Sequence, residues 1–205
     1  MMKDEGRGFA PPRSWRIAVA GAVFLAVVVL DQLSKLIVRA LVSAHGGAWG
    51  AALIPGLVRF QFVANIGAAF SLGEGMGGLF VVLALAVTAF ALYYLLRAPL
   101  MSRVEVVGLA LVAGGAIGNA IDRALFGFVT DFIATEFIDF PVFNVADIGI
   151  TVGVVVAFFA YLLLSPANKV DATAELNRRD AEDRARRAER ARGRAARAKR
   201  RRKGE

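Results

Sequence analysis

The chain has 205 residues, 57% of them hydrophobic, with a mean hydropathy of +0.57, which is too apolar for an ordinary soluble domain. The absence of cysteine excludes disulfides, thiolate metal sites and cysteine nucleophiles; the single histidine, His45 in SAHGGAWG, excludes a multi-histidine zinc centre and reads as a loop residue. The net charge of +8 belongs to the end of the chain: residues 169–205 hold 15 Lys/Arg against 7 Asp/Glu, whereas residues 1–168 hold 10 of each.

A bilayer-crossing helix needs about 20 mostly apolar residues. Four stretches meet that requirement, at 15–38, 79–96, 104–121 and 145–164. The first follows Arg13 and runs through Arg16, as a secretory signal would. It continues into LDQLSKLIVRAL instead of ending at a small-residue cleavage site, so a retained helix is expected. After it, LVRFQFV alternates apolar and polar residues and predicts a short strand or hairpin. NIGAAFSLGEGMGG then reads as a Gly-rich turn that re-enters the second span, with Gly67, Gly73, Gly75, Gly77 and Gly78 allowing tight turns. No internal repeat is visible.

Basic residues mark the cytoplasmic side of a membrane protein. Here Lys3, Arg7, Arg13 and Arg16 precede the first span, Arg97 and Arg103 flank the link between the second and third, and the basic tail follows the fourth. Four spans with both termini cytoplasmic put all three groups on one side. The connections at 39–78 and 122–144 then face outward, and Asp31, Asn119, Asp122, Asp131 and Asp147 lie at or beyond the outer boundary. The expected fold class is an all-α integral membrane protein: four transmembrane helices, a small extracytoplasmic β platform and a charged C-terminal tail. Its expected divisions are a cytoplasmic segment at 1–14, a helical membrane domain at 15–165 and a basic cytoplasmic tail at 166–205, helical or disordered. The tail is rich in Ala, Arg and Glu and has too few large apolar residues for a core, so contact with anionic headgroups is expected and nucleic-acid binding is not.

Charge in a membrane is costly and marks function when it recurs at one depth. DQLSK at 31–35, GNAIDR at 118–123, GFVTDFI at 127–133 and NVAD at 144–147 bring polar groups to one layer. Each aspartate alone has a structural reading: a helix cap, a charge at a helix N-terminus, or, for Asp122, an ion pair with the adjacent Arg123. Together they suggest more. Two converging carboxylates cannot easily both ionise; one holds a proton while the other takes a proton from a water held between them. That is aspartic-protease chemistry, which needs no cysteine, histidine, metal or cofactor. Asp147 is one candidate partner. Asp122 and Asp131 compete to be the other, and the pattern alone does not separate them, although Arg123 favours a permanently ionised, structural Asp122. Two rivals remain. A carrier would show repeat symmetry and acids at mid-span, and a scaffold would work through its tail.

In order, DQLSK, NIGAAFS, GNAIDR, GFVTDF and FNVADIGITVG resemble lipoprotein signal peptidase, or signal peptidase II, over about residues 15–165. The resemblance implies a bacterial inner-membrane aspartic endopeptidase. Such an enzyme removes the signal peptide from prolipoproteins already carrying a diacylglyceryl group, cutting on the amino side of the lipidated cysteine. It implies Asp131 and Asp147 as the catalytic pair, supported by Asp31, Lys35, Asn65, Asn119, Asp122, Arg123 and Asn144. It implies no cofactor; the expected partners are lipidated prolipoproteins and membrane lipids, and a monomer is expected. Ile148, where Ser or Thr is common, and Thr130, where Val is frequent, depart from the family pattern.

Overall fold

The computed structural model describes residues 11–67, 73, 75–165, and 181, 184 and 186. The chain divides into two units, Met1–Asn168 and Lys169–Glu205. In the second, Ala181, Arg184 and Arg186 are helical; the rest of the tail, residues 1–10 and most of the Gly-rich turn lie outside the described residues.

The first unit runs α1 (Arg13–Ala44), β1 (Gly50–Ile54), β2 (Val58–Asn65), α2 (Gly77–Arg97), α3 (Arg103–Phe126), β3 (Val129–Thr135) and α4 (Val145–Leu164). All four helices are long and apolar enough to cross a membrane. α1 extends six residues past the expected span because RALVSA carries nothing that breaks a helix. It stops where Gly46 and Gly47 take φ of 71° and 99°. Pro99 ends α2 by disfavouring helical geometry at Ala98. α3 begins with a capping box, in which the Glu105 amide donates to Ser102 Oγ (3.2 Å) and the Ser102 amide to Glu105 Oε2 (2.6 Å), and it closes at the left-handed Gly127.

α3 is the central helix, packed against α1, α2 and α4. Over its most apolar stretch 56% is buried, against 17%, 11% and 17% for α1, α2 and α4. The outer helices turn Leu25, Phe90 and Leu163 outward, each at least 60% exposed, as a bilayer requires and water does not favour. Small residues let the backbones approach. A Cβ added at Gly153 would meet the Gly108 carbonyl oxygen at 2.7 Å, and one at Gly108 would meet the Ala157 amide nitrogen at 2.6 Å.

The two ends of the bundle differ. At one, Ala20, Leu95, Met101 and Val106 form an apolar core, and the buried Arg16 guanidinium donates to the carbonyls of Leu95 in α2 (3.2 Å) and of Ala98 just past its end (2.8 Å). At the other lie the polar side chains and the sheet, whose order is β1-β2-β3, antiparallel throughout. The expected hairpin is β1–β2, turned at Pro55–Gly56 with Gly56 at φ 77°. The third strand is new: β3 pairs with β2 with Asp131 opposite Val63, and it comes from a segment read only as an outer connection.

Candidate active site

Asp147 owes its place to a helix start. Asn144 is the N-cap of α4. The Asp147 amide donates to Asn144 Oδ1 (3.0 Å) and the Asn144 amide donates back to Asp147 Oδ2 (3.1 Å). The cap therefore fixes where the Asp147 carboxylate sits. Asp131 sits mid-way along β3, 2% exposed, and the strand carries it to the same end of the bundle.

Amide side chains join the two carboxylates. Asn144 Nδ2 donates to Asp131 Oδ1 (2.6 Å) and to Asn119 Oδ1 (3.0 Å), and Asn119 Nδ2 donates to Asp147 Oδ1 (2.8 Å). Asn65 Nδ2 on β2 donates to Asp131 Oδ2 (2.9 Å). Each of the four carboxylate oxygens thus receives an N–H. Burial pushes the Asp131 carboxyl up to about 6, and the nearby Asp147 charge pushes the same way. The Asn65 and Asn144 hydrogen bonds and the more distant Lys35 charge oppose the rise without cancelling it.

Behind this layer lies a buried ionic one. Lys35 Nζ is 2.9 Å from Asp31 Oδ2 and 3.7 Å from Asp122 Oδ2, all three side chains fully buried, and it donates to Asn119 Oδ1 at 2.9 Å. Asp31 Oδ1 accepts from the Ala146 amide (2.9 Å), tying α1 to the first turn of α4. A Cβ at Gly118 would lie 2.5 Å from Asp31 Oδ2, so glycine is what admits this carboxylate.

One expectation is corrected. Asp122 does not pair with Arg123. Neighbours on a helix point about 100° apart, and Asp122 faces α1, where Lys35 and Arg39 (3.3 Å) neutralise it. Arg123 turns the other way: it donates to the Gly67 carbonyl (2.7 Å), lies 4.9 Å from the Phe80 ring centroid, and keeps an Nε–H without a partner among the described residues. Asp122 still has dedicated cations, although not the expected one.

Arg39 and Gln32 escaped the sequence reading. Gln32 Nε2 donates to Asp31 Oδ2 (3.0 Å) and the Gly118 carbonyl (3.0 Å). The signal was available: Asp31, Lys35 and Arg39 recur every four residues and so share one face of α1. Also missed was the 140–143 segment. Phe143 bridges to Ile133 of β3, with its amide donating to the Ile133 carbonyl (3.0 Å).

A cavity of 510 Å³ opens onto the pair. Asn65, Asn119, Arg123, Asp131 and Asp147 give it a polar side; Val129, Phe140, Pro141, Val142, Phe143, Ile148, Ile150 and Thr151 line the rest. A polar floor under apolar walls suits an extended peptide with small or apolar side chains.

Comparison with known proteins agrees with this picture. Residues 23–163 match the family described as Signal peptidase (SPase) II. The lipoprotein signal peptidase of Synechocystis sp. is 38% identical over 160 residues, covering 78% of this chain and 94% of its own. That of Lactobacillus johnsonii is 36% identical over 143 residues, 70% of this chain and 91% of its own. A solved structure titled as a bacterial membrane enzyme, obtained by the in meso method at 2.3 Å, superposes with a TM-score of 0.63 at 29% identity, over 71% of this chain and 88% of that one.

Proposed function

The chain belongs to the signal peptidase II family, and from that premise we propose Asp131 and Asp147 as the pair through which it works. As a member it is an aspartic peptidase of the bacterial inner membrane that removes signal peptides from prolipoproteins. The observation that carries the assignment is the amide relay, Asn65 and Asn144 on Asp131 and Asn119 on Asp147, which holds both carboxylates against the cavity they line.

Burial makes Asp131 the member that keeps a proton. Asp147 lies in the first turn of α4, where the helix dipole favours negative charge. Water held between them gives a proton to Asp147 as its oxygen attacks the scissile carbonyl carbon, and Asp131 donates its proton to the carbonyl oxygen. The tetrahedral intermediate then collapses: Asp131 recovers its proton, and Asp147 passes the other to the departing nitrogen. In the proposed substrate that nitrogen belongs to the diacylglyceryl-modified cysteine. Arg123, which lines the cavity, holds a substrate carbonyl through its guanidinium. Asp31, Lys35 and Asp122 support the framework that holds Asn119 and the start of α4.

The substrate's signal helix and acyl chains are already in the bilayer, so they enter sideways against the apolar helix faces. With the basic residues cytoplasmic, both termini lie inside and the site and sheet at the outer face, on a monomer in contact with membrane lipids. The test is to incubate purified protein with a diacylglyceryl-modified prolipoprotein and with its unmodified twin. Mass spectrometry should show a product beginning at the lipidated cysteine and little product from the twin. Equal cleavage of both would contradict the proposed substrate.

A further inference from the structure

We propose that Arg39 and the Thr130 hydroxyl form a positioning clamp that sets the Asp131 carboxyl for the peptidase reaction; this rests on the catalytic pair proposed above. Successive side chains of a strand point to opposite faces. Asp131 therefore faces Asn65, Asn144 and the cavity, while Thr130, fully buried, faces back toward α1 and α3. Thr130 does not line the cavity.

Thr130 is held at two points. Its Oγ1 accepts from Arg39 Nη1 at 2.9 Å, and its amide donates to Asp122 Oδ2 at 2.8 Å. Arg39 Nη1 also donates to Asp122 Oδ1 at 3.3 Å, which closes a triangle among α1, α3 and β3. The guanidinium carbon lies 4.5 Å from the ring centroid of Phe126, the last residue of α3, which limits where the cation can go.

The clamp falls where β3 needs it. The β2–β3 register shifts between Phe60 and Val63, next to the Val63–Asp131 and Ala64–Thr130 pairs, so the ladder is interrupted beside Asp131. The residue before Asp131 is instead pinned from behind by a buried hydroxyl, a carboxylate and a cation. Neither Arg39 nor Thr130 touches the cavity or the pair; both act through the backbone that carries Asp131.

Thr130→Val puts back the residue frequent in the family; it keeps the shape but takes from this chain's Arg39 the hydroxyl it donates to. Its kcat should fall roughly 10-fold with KM within about twofold, inside the hundredfold that a misplaced catalytic group can cost. Arg39→Met, which keeps the aliphatic stem, should show a similar loss, and the double variant should be no worse than the poorer single. Thr130→Ser, which restores the hydroxyl, should recover to within about twofold. Wild-type kcat in folded Thr130→Val or folded Arg39→Met overturns the clamp. So do losses that multiply in the double variant, and a Thr130→Ser as slow as the valine. Should Thr130→Val not fold, Arg39→Met and Thr130→Ser decide alone. Asp131→Asn in the same assay separates the two levels: if it is inactive while Thr130→Val is unimpaired, the clamp alone fails; if it is fully active, the catalytic pair fails and the clamp with it.

Discussion

Asp131 has a proton affinity that its surroundings set. Burial is the largest cause, the charge of Asp147 adds to it, and Asn65, Asn144 and Lys35 oppose it, leaving a value of about 6 against an ordinary 3.8. A raised value means the proton is kept up to about pH 6 and lost above it. The proposed mechanism needs that proton, so kcat/KM of the free enzyme should fall as pH rises through about 6. Substrate that covers the site desolvates the carboxyl further, so the same limb in kcat should lie higher. Asn65→Ala removes a hydrogen bond that favours the carboxylate, so its limb should move to higher pH; an unmoved or lowered limb would contradict the account. Asp122 answers a different question. Asp122→Asn strips one anion from Lys35 and Arg39; Lys35 keeps Asp31 at 2.9 Å, so the cost should stay below the roughly 3 kcal/mol of fully unpairing a buried charge. Thermal unfolding should register it more strongly than the turnover of the folded fraction. The partner was misread from sequence because adjacency along a helix was taken for proximity, whereas Arg39 reaches Asp122 from 83 residues away.

At the scale of elements, α4 was the easiest to read. Its bounds, 145 to 164, coincide with the apolar stretch because Asn144 and Asp147 spell a helix start and Pro166 follows its end. β3 was the hardest. VTDFIAT is buried on nearly every residue, so it shows no inside–outside alternation, and it becomes a strand because β2 is there to pair with it. The catalytic assignment of Asp131 therefore came from resemblance, while the shared depth of the polar motifs was legible from hydropathy alone. The α3–α4 contact is testable. Gly153→Ala puts a methyl 2.7 Å from the Gly108 carbonyl oxygen, so α4 must move off α3. Asp147 rides on one helix and Asn119 on the other, so melting temperature and activity should fall together. Gly21, with nothing within 4 Å of an added Cβ, is the control. Gly21→Ala should be neutral or stabilising by up to about 1 kcal/mol. A silent Gly153→Ala would show that the close approach is not needed.

Along the chain, chemistry and charge fall in different units. The polar site is built from residues of the first unit, whereas the net charge of +8 is carried by residues 169–205. Truncation after Ala167 should leave turnover in detergent within about twofold of the full chain and weaken association with anionic vesicles, each Lys or Arg near such a surface contributing about 1 kcal/mol. A folded but inactive truncated enzyme would make the tail part of the machinery. The central claim is narrower: two carboxylates, brought together by a helix cap and a strand, exchange protons with one water. Its most direct test is steady-state cleavage of a lipidated prolipoprotein by Asp131→Asn and Asp147→Asn, each shown to be folded by its melting temperature. The amide matches the carboxyl in shape but cannot cycle a proton, so both rates should fall on the order of 10³-fold or more. A folded variant of either kind that cleaves at the wild-type rate, or an Asp122→Asn that is folded and dead while Asp131→Asn works, would contradict the assignment.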